Sequence, residues 1–101
     1  MVLNFDMIAS PNYVFGIYNG SSHSFQSYKI QQEFEKYFIV NKLPFLLSEF
    51  NGRSDYGPFL EKGIPCGGLE TGAEQIKTVG EFLMFGGIAN IPYDPCKIFN
   101  F

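Results

Sequence analysis

The segment from residue 52 to residue 72 is dense in glycine and proline, and it constrains the fold more than any other part of the chain. It reads GRSDYGPFLEKGIPCGGLETG. Glycine permits close approaches of the main chain that a side chain would block, whereas proline ends helices and interrupts interior strands. We therefore expect a shaped loop here, set between regular elements.

Composition limits the rest of the fold to one small globular domain. The chain has 101 residues, of which 46% are hydrophobic and 17% are charged, as is typical of a folded domain. A net charge of −3 and only seven scattered Lys and Arg residues argue against nucleic acid or an anionic membrane surface as a partner. No apolar run approaches the roughly 20 residues of a membrane span, and the amino terminus lacks the pattern of a signal peptide.

One stretch has clear helical periodicity. From residue 27 to about residue 43, apolar side chains recur at helical spacing while the other face is polar. Pro44 should end this helix, because the residue before a proline disfavours helical backbone angles. A second, short helix is expected over residues 55–62, with Ser54 as its N-cap and Gly63 as its C-terminal stop.

Short runs rich in apolar, β-branched and aromatic residues predict strands, each bounded by turn residues. The predicted strands cover residues 2–8, 13–18, 45–50 and 64–69. The first and last of them are predicted to be buried, and the region 75–87 to be partly helical. Strands that alternate with helices favour an α/β layer over an all-β sandwich.

Asp6 is the first candidate site residue, because it stands at the carboxyl end of the first predicted strand, in NFDMIASPN. A buried carboxylate is costly unless it is paired, hydrogen-bonded or bound to a metal, and strand ends are where α/β sheets bind ligands. The alternative is that Asp6 caps the Ser-Pro-Asn turn that follows. Asp6 cannot hold zinc alone, because zinc takes three or four ligands, and the single histidine, His23, is expected to be exposed without a ligand role.

The glycine-rich loop is the second candidate. Gly52 and its neighbours would let a ligand or another main chain approach Arg53 closely. Nucleotide binding is excluded, because neither GK[ST] nor a GxGxxG after a strand is present. A purely structural alternative makes Arg53 and Asp55 a local ion pair and Gly67-Gly68 a tight turn. No Ser-His-Asp or Cys-His nucleophile set is assembled, because Cys66 has only one distant candidate base.

Three motifs together resemble one family. NFDMIASPNY, FNGRSDYGPFLEKGIPCGGLETGAEQIKT and FGGIANIPYDPC are similar, in order and approximate spacing, to the carboxyl-terminal half of the two-zinc aminopeptidases of the aminopeptidase Y type, metallopeptidase family twenty-eight. The resemblance implies an α/β fold, a partial three-layer zinc-exopeptidase-like domain with a central mixed sheet. Residues 1–101 would be the carboxyl-terminal part of its catalytic domain.

The resemblance also implies a chemistry and roles for single residues. In that family two zinc ions share a water that attacks the amino-terminal peptide bond, so the partners are peptide amino termini and the location is secreted or vacuolar. Asp6 matches a zinc ligand that also helps hold the free amine, and Arg53 matches a residue whose backbone carbonyl faces that amine, with Gly52 beside it. Glu70 replaces the usual aromatic residue of the pocket for the first side chain, which predicts a preference for basic side chains.

The chain departs from the family at its end. The family continues DPC with a tyrosine and a zinc-binding histidine, whereas this chain has Lys97 and Ile98, and isoleucine cannot bind zinc. The other family ligands lie upstream of the motifs present here, and the family's disulfide from Cys96 lacks its partner cysteine. We therefore expect two zinc ions in an intact family domain and no stoichiometric zinc on this chain alone.

Two hypotheses follow. The first is a fragment of a two-zinc aminopeptidase, inactive as this chain alone. The alternative is a non-catalytic peptidase-like scaffold that serves as a peptide-binding or interaction domain. In either case we expect self-association through exposed strand edges, since a heavy apolar load is hard to bury in so small a domain.

Overall fold

The computed structural model describes residues 1–49 and 55–94, which form a four-stranded sheet with helices. The strands are β1 Val2–Asp6, β2 Gly16–Tyr18, β3 Leu46–Ser48 and β4 Cys66–Glu70. The helices are α1 Phe25–Val40, α2 Gly57–Glu61 and α3 Val79–Phe85, with a 3₁₀ turn at Gly20–Ser22. No helix within these two ranges is long and apolar enough to cross a membrane.

The sheet is mixed, with strand order β1-β4-β2-β3. β4 runs parallel to β1 and antiparallel to β2, and β2 runs parallel to β3. The predicted α/β class and central mixed sheet are therefore confirmed. Each of the four predicted strands has a counterpart, and β1 ends at Asp6, two residues before its predicted end, because Met7 takes a left-handed φ of 51°.

The prediction that the first strand is buried is wrong. β1 is an edge strand that pairs only with β4 among the described strands, and its residues alternate between half-buried and exposed. Leu3 and Phe5 are 46% and 52% exposed. The apolar residues of β1 are therefore only partly covered by the rest of the domain. Phe5, for example, contacts Phe34 of α1.

Helix α1 confirms the helical periodicity, although it starts two residues earlier than predicted. The Ser24 side chain accepts a hydrogen bond from the Ser27 amide and so caps the first turn. The helix ends at Val40, before Pro44, as the proline rule predicts. Ile30 and Phe38 of its apolar face are buried.

The two shorter helices are also present, with different caps from those expected. α2 begins with Tyr56 in the N-cap position and no side-chain cap, while Ser54, the predicted cap, lies outside the described residues. Gly63 has a φ of 75°, which fits its predicted role as the stop of this helix. α3 lies within the region predicted to be partly helical, and Thr78 and Glu81 form a capping box at its start.

The Gly67-Gly68 pair lies inside β4, as the strand predicted over residues 64–69 requires, so the structural alternative of a tight turn there is wrong. A Cβ on Gly67 would lie 2.2 Å from Cγ2 of Ile30, which packs from α1 onto the strand. A Cβ on Gly68 would lie 1.7 Å from the carbonyl oxygen of Asn4 on β1. The two glycines therefore let the helix and the neighbouring strand approach β4 more closely than any side chain would permit.

We predict that Gly67→Ala destabilises the fold by about 1–3 kcal/mol, because the added methyl overpacks the contact with Ile30. The shift of the urea unfolding midpoint measures this. Gly80→Ala on α3 is the control, since a Cβ there meets nothing closer than Thr78 Oγ1 at 3.8 Å and alanine favours helix. Adding Ile30→Ala to Gly67→Ala should relieve the overlap. An unchanged midpoint for Gly67→Ala would contradict the proposed packing.

Candidate active site

A pocket of about 450 Å³ lies against one face of the sheet. Alternation along the strands places Asp6, Glu70, Gly16 and Ser48 on that face, one from each strand, and all four line the pocket. Gly67 belongs to the opposite face, where it contacts α1. Helix and pocket thus occupy opposite sides of the sheet.

The strand register brings Asp6 next to Glu70. The two residues are paired in the parallel ladder between β1 and β4, and both are the last residues of their strands. Carboxyl ends of parallel strands are the usual position of ligand sites in α/β sheets. The structure thus places two of the predicted site residues together in the pocket. Their roles in binding metal and substrate remain predictions.

The chain turns sharply after Asp6. Met7, the next residue, has a left-handed φ of 51°, which is unfavourable for a residue with a side chain. Its carbonyl accepts hydrogen bonds from the main-chain amide of Thr71, at 2.9 Å, and from the Thr71 hydroxyl. In the following turn the Ser10 amide donates to Thr71 Oγ1 and the Asn12 amide to the Tyr93 carbonyl. The amides of Ser10 and Asn12 therefore have partners other than Asp6.

Glu70 extends across the neighbouring strand rather than along its own. Gly16 of β2 is its partner in the antiparallel ladder, and a Cβ on Gly16 would lie 3.1 Å from Glu70 Cγ. Beyond β2, the hydroxyl of Ser48 on β3 donates a hydrogen bond to Glu70 Oε1. The carboxylate is therefore held over the sheet, inside the pocket.

Two tyrosines form a wall of the pocket beside these carboxylates. The rings of Tyr18 and Tyr56 lie 5.1 Å apart, and both residues are buried. Burial, together with the negative charges of Glu70 and Asp6, raises the pKa of Tyr18 to about 12. Asn4 Nδ2 donates to its hydroxyl at 3.5 Å. Tyr18 therefore keeps its proton at neutral pH.

Sequence reasoning missed a second acidic group, the pair of Glu81 and Tyr93. The Tyr93 hydroxyl donates to Glu81 Oε1 at 2.7 Å, and the same oxygen accepts from the Thr78 amide at 2.9 Å. Burial and the bond to Glu81 raise the pKa of Tyr93. Both residues line the pocket. The T-x-x-E pattern of a capping box was the available signal for Glu81, whereas Tyr93 carries no local signal of this contact.

A buried lysine, also missed, holds the segment that leads to Tyr93. Lys77 is 1% exposed, and its Nζ donates to the Gly86 carbonyl at 2.6 Å and to Asn12 Oδ1 at 3.3 Å. Asn12 Nδ2 in turn donates a hydrogen bond to the Ile88 carbonyl at 2.8 Å, and the Ile88 amide donates to Asn12 Oδ1 at 2.9 Å. Burial lowers the pKa of Lys77. This cluster is structural, since it satisfies main-chain groups of the loop after α3.

The described residues do not make a metal centre by themselves. Within 1–49 and 55–94 no group of three or more His, Cys, Asp and Glu side chains is arranged to hold a metal ion. Asp6 fits the role of a single oxygen ligand at the pocket, and zinc needs at least two more protein ligands. Besides Ser54, five residues of the sequence-based interpretation lie outside the described residues: Gly52, Arg53, Cys96, Lys97 and Ile98. The suggested ion pair of Arg53 with Asp55 lies outside them too.

Neither His23 nor Cys66 belongs to this pocket. His23 is exposed, as expected, at the C-cap of the 3₁₀ turn. Cys66 is a buried free cysteine whose Sγ lies 3.1 Å from the Ile64 carbonyl oxygen. Burial raises the pKa of its thiol, so this cysteine is not an activated nucleophile. The chemistry of the site rests on carboxylates and tyrosines.

Fold and site together define an α/β domain with an acidic pocket at the carboxyl ends of two parallel strands. Residues 1–95 match the sequence pattern of Peptidase family M28. The chain belongs to this family.

Curated relatives carry matching names. The chain is 49% identical over 100 residues to "Probable leucine aminopeptidase 2" of Aspergillus fumigatus. It is 45% identical over the same length to "probable leucine aminopeptidase 2" of Aspergillus oryzae and 43% to "Leucine aminopeptidase 2" of Trichophyton equinum. Each match covers 93% of this chain and 20% of the relative, so the chain spans about a fifth of their length.

We predict that stability falls as the pH rises from 10 towards 12. The folded state keeps the Tyr18 proton up to about pH 12, whereas the unfolded state loses it near pH 10. The contribution of the Tyr18 proton to the free energy of unfolding is fully present below pH 10 and is lost as the pH approaches 12. Urea unfolding between pH 8 and pH 11 measures this slope.

Tyr18→Phe should reduce this slope, and so should Glu70→Gln, because it removes a negative charge that raises the pKa of Tyr18. Glu61→Gln, which changes an exposed carboxylate on α2, is the control and should leave the slope unchanged. The account of Tyr18 is wrong if Tyr18→Phe leaves the alkaline slope as it is in the unmodified chain.

Proposed function

We propose that this chain is the carboxyl-terminal part of the catalytic domain of a two-zinc aminopeptidase that hydrolyses amino-terminal peptide bonds. The observation that carries the proposal is the pairing of Asp6 with Glu70 at the end of β1 and β4, in a pocket of a chain that belongs to Peptidase family M28. The names of the relatives support the same activity.

The pocket suits the positively charged amino terminus of a peptide. Four of its lining residues are acidic, and none of the described residues that line it is basic: the acids are Asp6, Glu49, Glu70 and Glu81. A pocket lined by negative charge attracts a cationic group. We assign Asp6 to the metal and the free amine, and Glu70 to the first side chain. Gly52 and Arg53 are assigned to the main-chain contact with the amine.

Zinc, when bound, would polarise the scissile carbonyl and supply the attacking water. The described residues contain no group of three metal ligands, and we assign Asp6 as one ligand, so further ligands must come from elsewhere in a complete catalytic domain. A secreted or vacuolar location belongs to this proposal as well. For the isolated chain we also propose self-association through the edge strands β1 and β3, where Leu3, Phe5 and Leu47 are exposed.

A non-catalytic peptide-binding scaffold is the second candidate. Lys97 and Ile98, at the positions of the family's tyrosine and zinc-binding histidine, favour it. It shares the pocket and its preference for a peptide amine, and it differs in requiring no metal.

We predict that the 101-residue chain alone binds no stoichiometric zinc and releases no amino acid from aminoacyl anilides. Zinc needs at least three protein ligands, and Asp6 supplies one. Metal analysis after equilibrium dialysis against zinc measures the first point, and anilide release with added zinc measures the second. Zinc-dependent turnover by this chain alone, removed by a chelator, would contradict the proposal that essential ligands lie elsewhere.

The catalytic proposal is tested by a chimera. Residues 1–95 of this chain replace the matching segment of the Trichophyton equinum protein, which supplies the remaining four-fifths of a catalytic chain. We predict that the folded chimera hydrolyses aminoacyl anilides, and that Asp6→Asn lowers its kcat/KM by about 100-fold or more, since an amide is a poor zinc ligand.

Glu61→Gln is the matched control, because it neutralises an exposed carboxylate on α2. It should leave kcat/KM of the chimera unchanged. A folded chimera with no activity would favour the non-catalytic scaffold. An Asp6→Asn chimera as active as the unmodified one would show that Asp6 is not a metal ligand.

A further inference from the structure

The path of the Glu70 side chain carries an inference about which substrates the pocket takes. Glu70 stands on β4, and its carboxylate bonds to Ser48 on β3, with β2 lying between those two strands. The side chain therefore crosses a whole strand. A glutamate that only needed solvation would gain nothing from this conformation, because ordering a long side chain costs rotamer entropy.

Gly16 makes the crossing possible. It is paired with Glu70 across the antiparallel ladder and with Leu46 across the parallel one. A Cβ at this position would lie 3.1 Å from Glu70 Cγ and 3.4 Å from Ser48 Cβ, so a larger side chain would fill the space that the glutamate occupies. The absence of a side chain at Gly16 opens the path from β4 to β3.

Ser48 fixes the end of the path. Its hydroxyl donates to Oε1 of Glu70, while a carboxylate offers about four acceptor sites on its two oxygens. The bond to Ser48 therefore orients the carboxylate and leaves acceptors for a second partner. Ser48 and Glu70 both line the pocket.

The surroundings favour a cation as that second partner. Asp6, Glu49 and Glu81 also line the pocket and add negative charge beside Glu70. The negative charge of Glu70 contributes to the raised pKa values of both Tyr18 and Tyr93, so it acts on two walls of the pocket. The volume of about 450 Å³ is within the range of small-ligand sites.

We propose that Gly16 and Ser48 position the Glu70 carboxylate to receive the ammonium or guanidinium group of a basic first side chain, so that the pocket selects peptides that begin with lysine or arginine. The assignment rests on the proposed function, since it takes this pocket as the one for the first side chain. Glu70 is the group that contacts substrate, and Gly16 and Ser48 are positioning residues.

The test compares two probes that differ in one charge. Lysinamide and norleucinamide both carry an α-ammonium group and a linear side chain, and only lysinamide has the terminal ammonium. The isotope-labelled 101-residue chain is titrated with each, and amide shifts of Gly16, Ser48 and Glu70 are followed by NMR. We expect lysinamide to bind about tenfold more tightly, because a charged hydrogen bond in a partly closed site favours it by about this factor.

Variants separate positioning from a structural role. Glu70→Gln and Ser48→Ala should each reduce the lysinamide preference to below about threefold, and Ser48→Thr, which keeps the hydroxyl, should retain it. A purely structural role of Ser48 would weaken both probes equally and leave their ratio unchanged. Gly16→Val tests the path itself. If that variant does not fold, the comparison of Ser48→Ala with Ser48→Thr still decides whether Ser48 positions the Glu70 carboxylate.

The outcomes distinguish this inference from the proposed function. Equal binding of the two probes at the pocket, or no binding of either, overturns the inference. The chimera gives the second readout, as kcat/KM for arginyl against leucyl anilides. A chimera that cleaves leucyl anilides and discriminates against arginyl ones overturns the inference and leaves the aminopeptidase proposal standing. A chimera inactive on both overturns the aminopeptidase proposal, and the probe titration then decides the selectivity of the pocket alone.

Discussion

The close approach of three main-chain elements at Gly67 and Gly68 is the constraint on which the rest of the structure depends. On one face of β4, Ile30 occupies the space where a Cβ of Gly67 would be. On the side of β1, the Asn4 carbonyl oxygen lies 1.7 Å from the position that a Cβ of Gly68 would take. These contacts fix both the height of α1 above the sheet and the register of β1 against β4. Because that register pairs Asp6 with Glu70, the composition of the pocket follows from it.

The pocket concentrates negative charge without a basic counterpart among the described residues that line it. Two of these carboxylates accept hydrogen bonds, Glu70 from the Ser48 hydroxyl and Glu81 from the Tyr93 hydroxyl and the Thr78 amide. If the pocket binds a cation, as we propose, the bound cation also stabilises the folded state.

The sequence predicts the elements of this fold better than it predicts their contacts. Helix α1 follows from its own periodicity and the proline after it, and the four strands follow from apolar runs bounded by turns. The burial of β1 was predicted wrongly, because an apolar run does not reveal whether a strand lies inside a sheet or at its edge. The glycine pair lies within a predicted strand, but the sequence left a tight turn open as the alternative, because glycine marks turns and close packing alike.

The site shows the same division. Asp6 and Glu70 could be singled out by position and by resemblance, but their adjacency depends on a pairing between residues 64 positions apart. The contact of Lys77 with Asn12 likewise joins residues 65 positions apart, and that of Tyr93 with Glu81 joins residues 12 positions apart across a helix and a loop. No local pattern encodes such pairs. The path of Glu70 over Gly16 to Ser48 depends on strand order, which no single segment specifies.

The central claim is that Asp6 ends its strand at a metal site. Anomalous scattering at the zinc edge from crystals of the chimera that carries residues 1–95 tests this most directly. If Asp6 binds the metal, a zinc peak lies within bonding distance of an Asp6 carboxylate oxygen, on the sheet face that also holds Glu70. A fully occupied zinc centre whose ligands do not include Asp6 would contradict it.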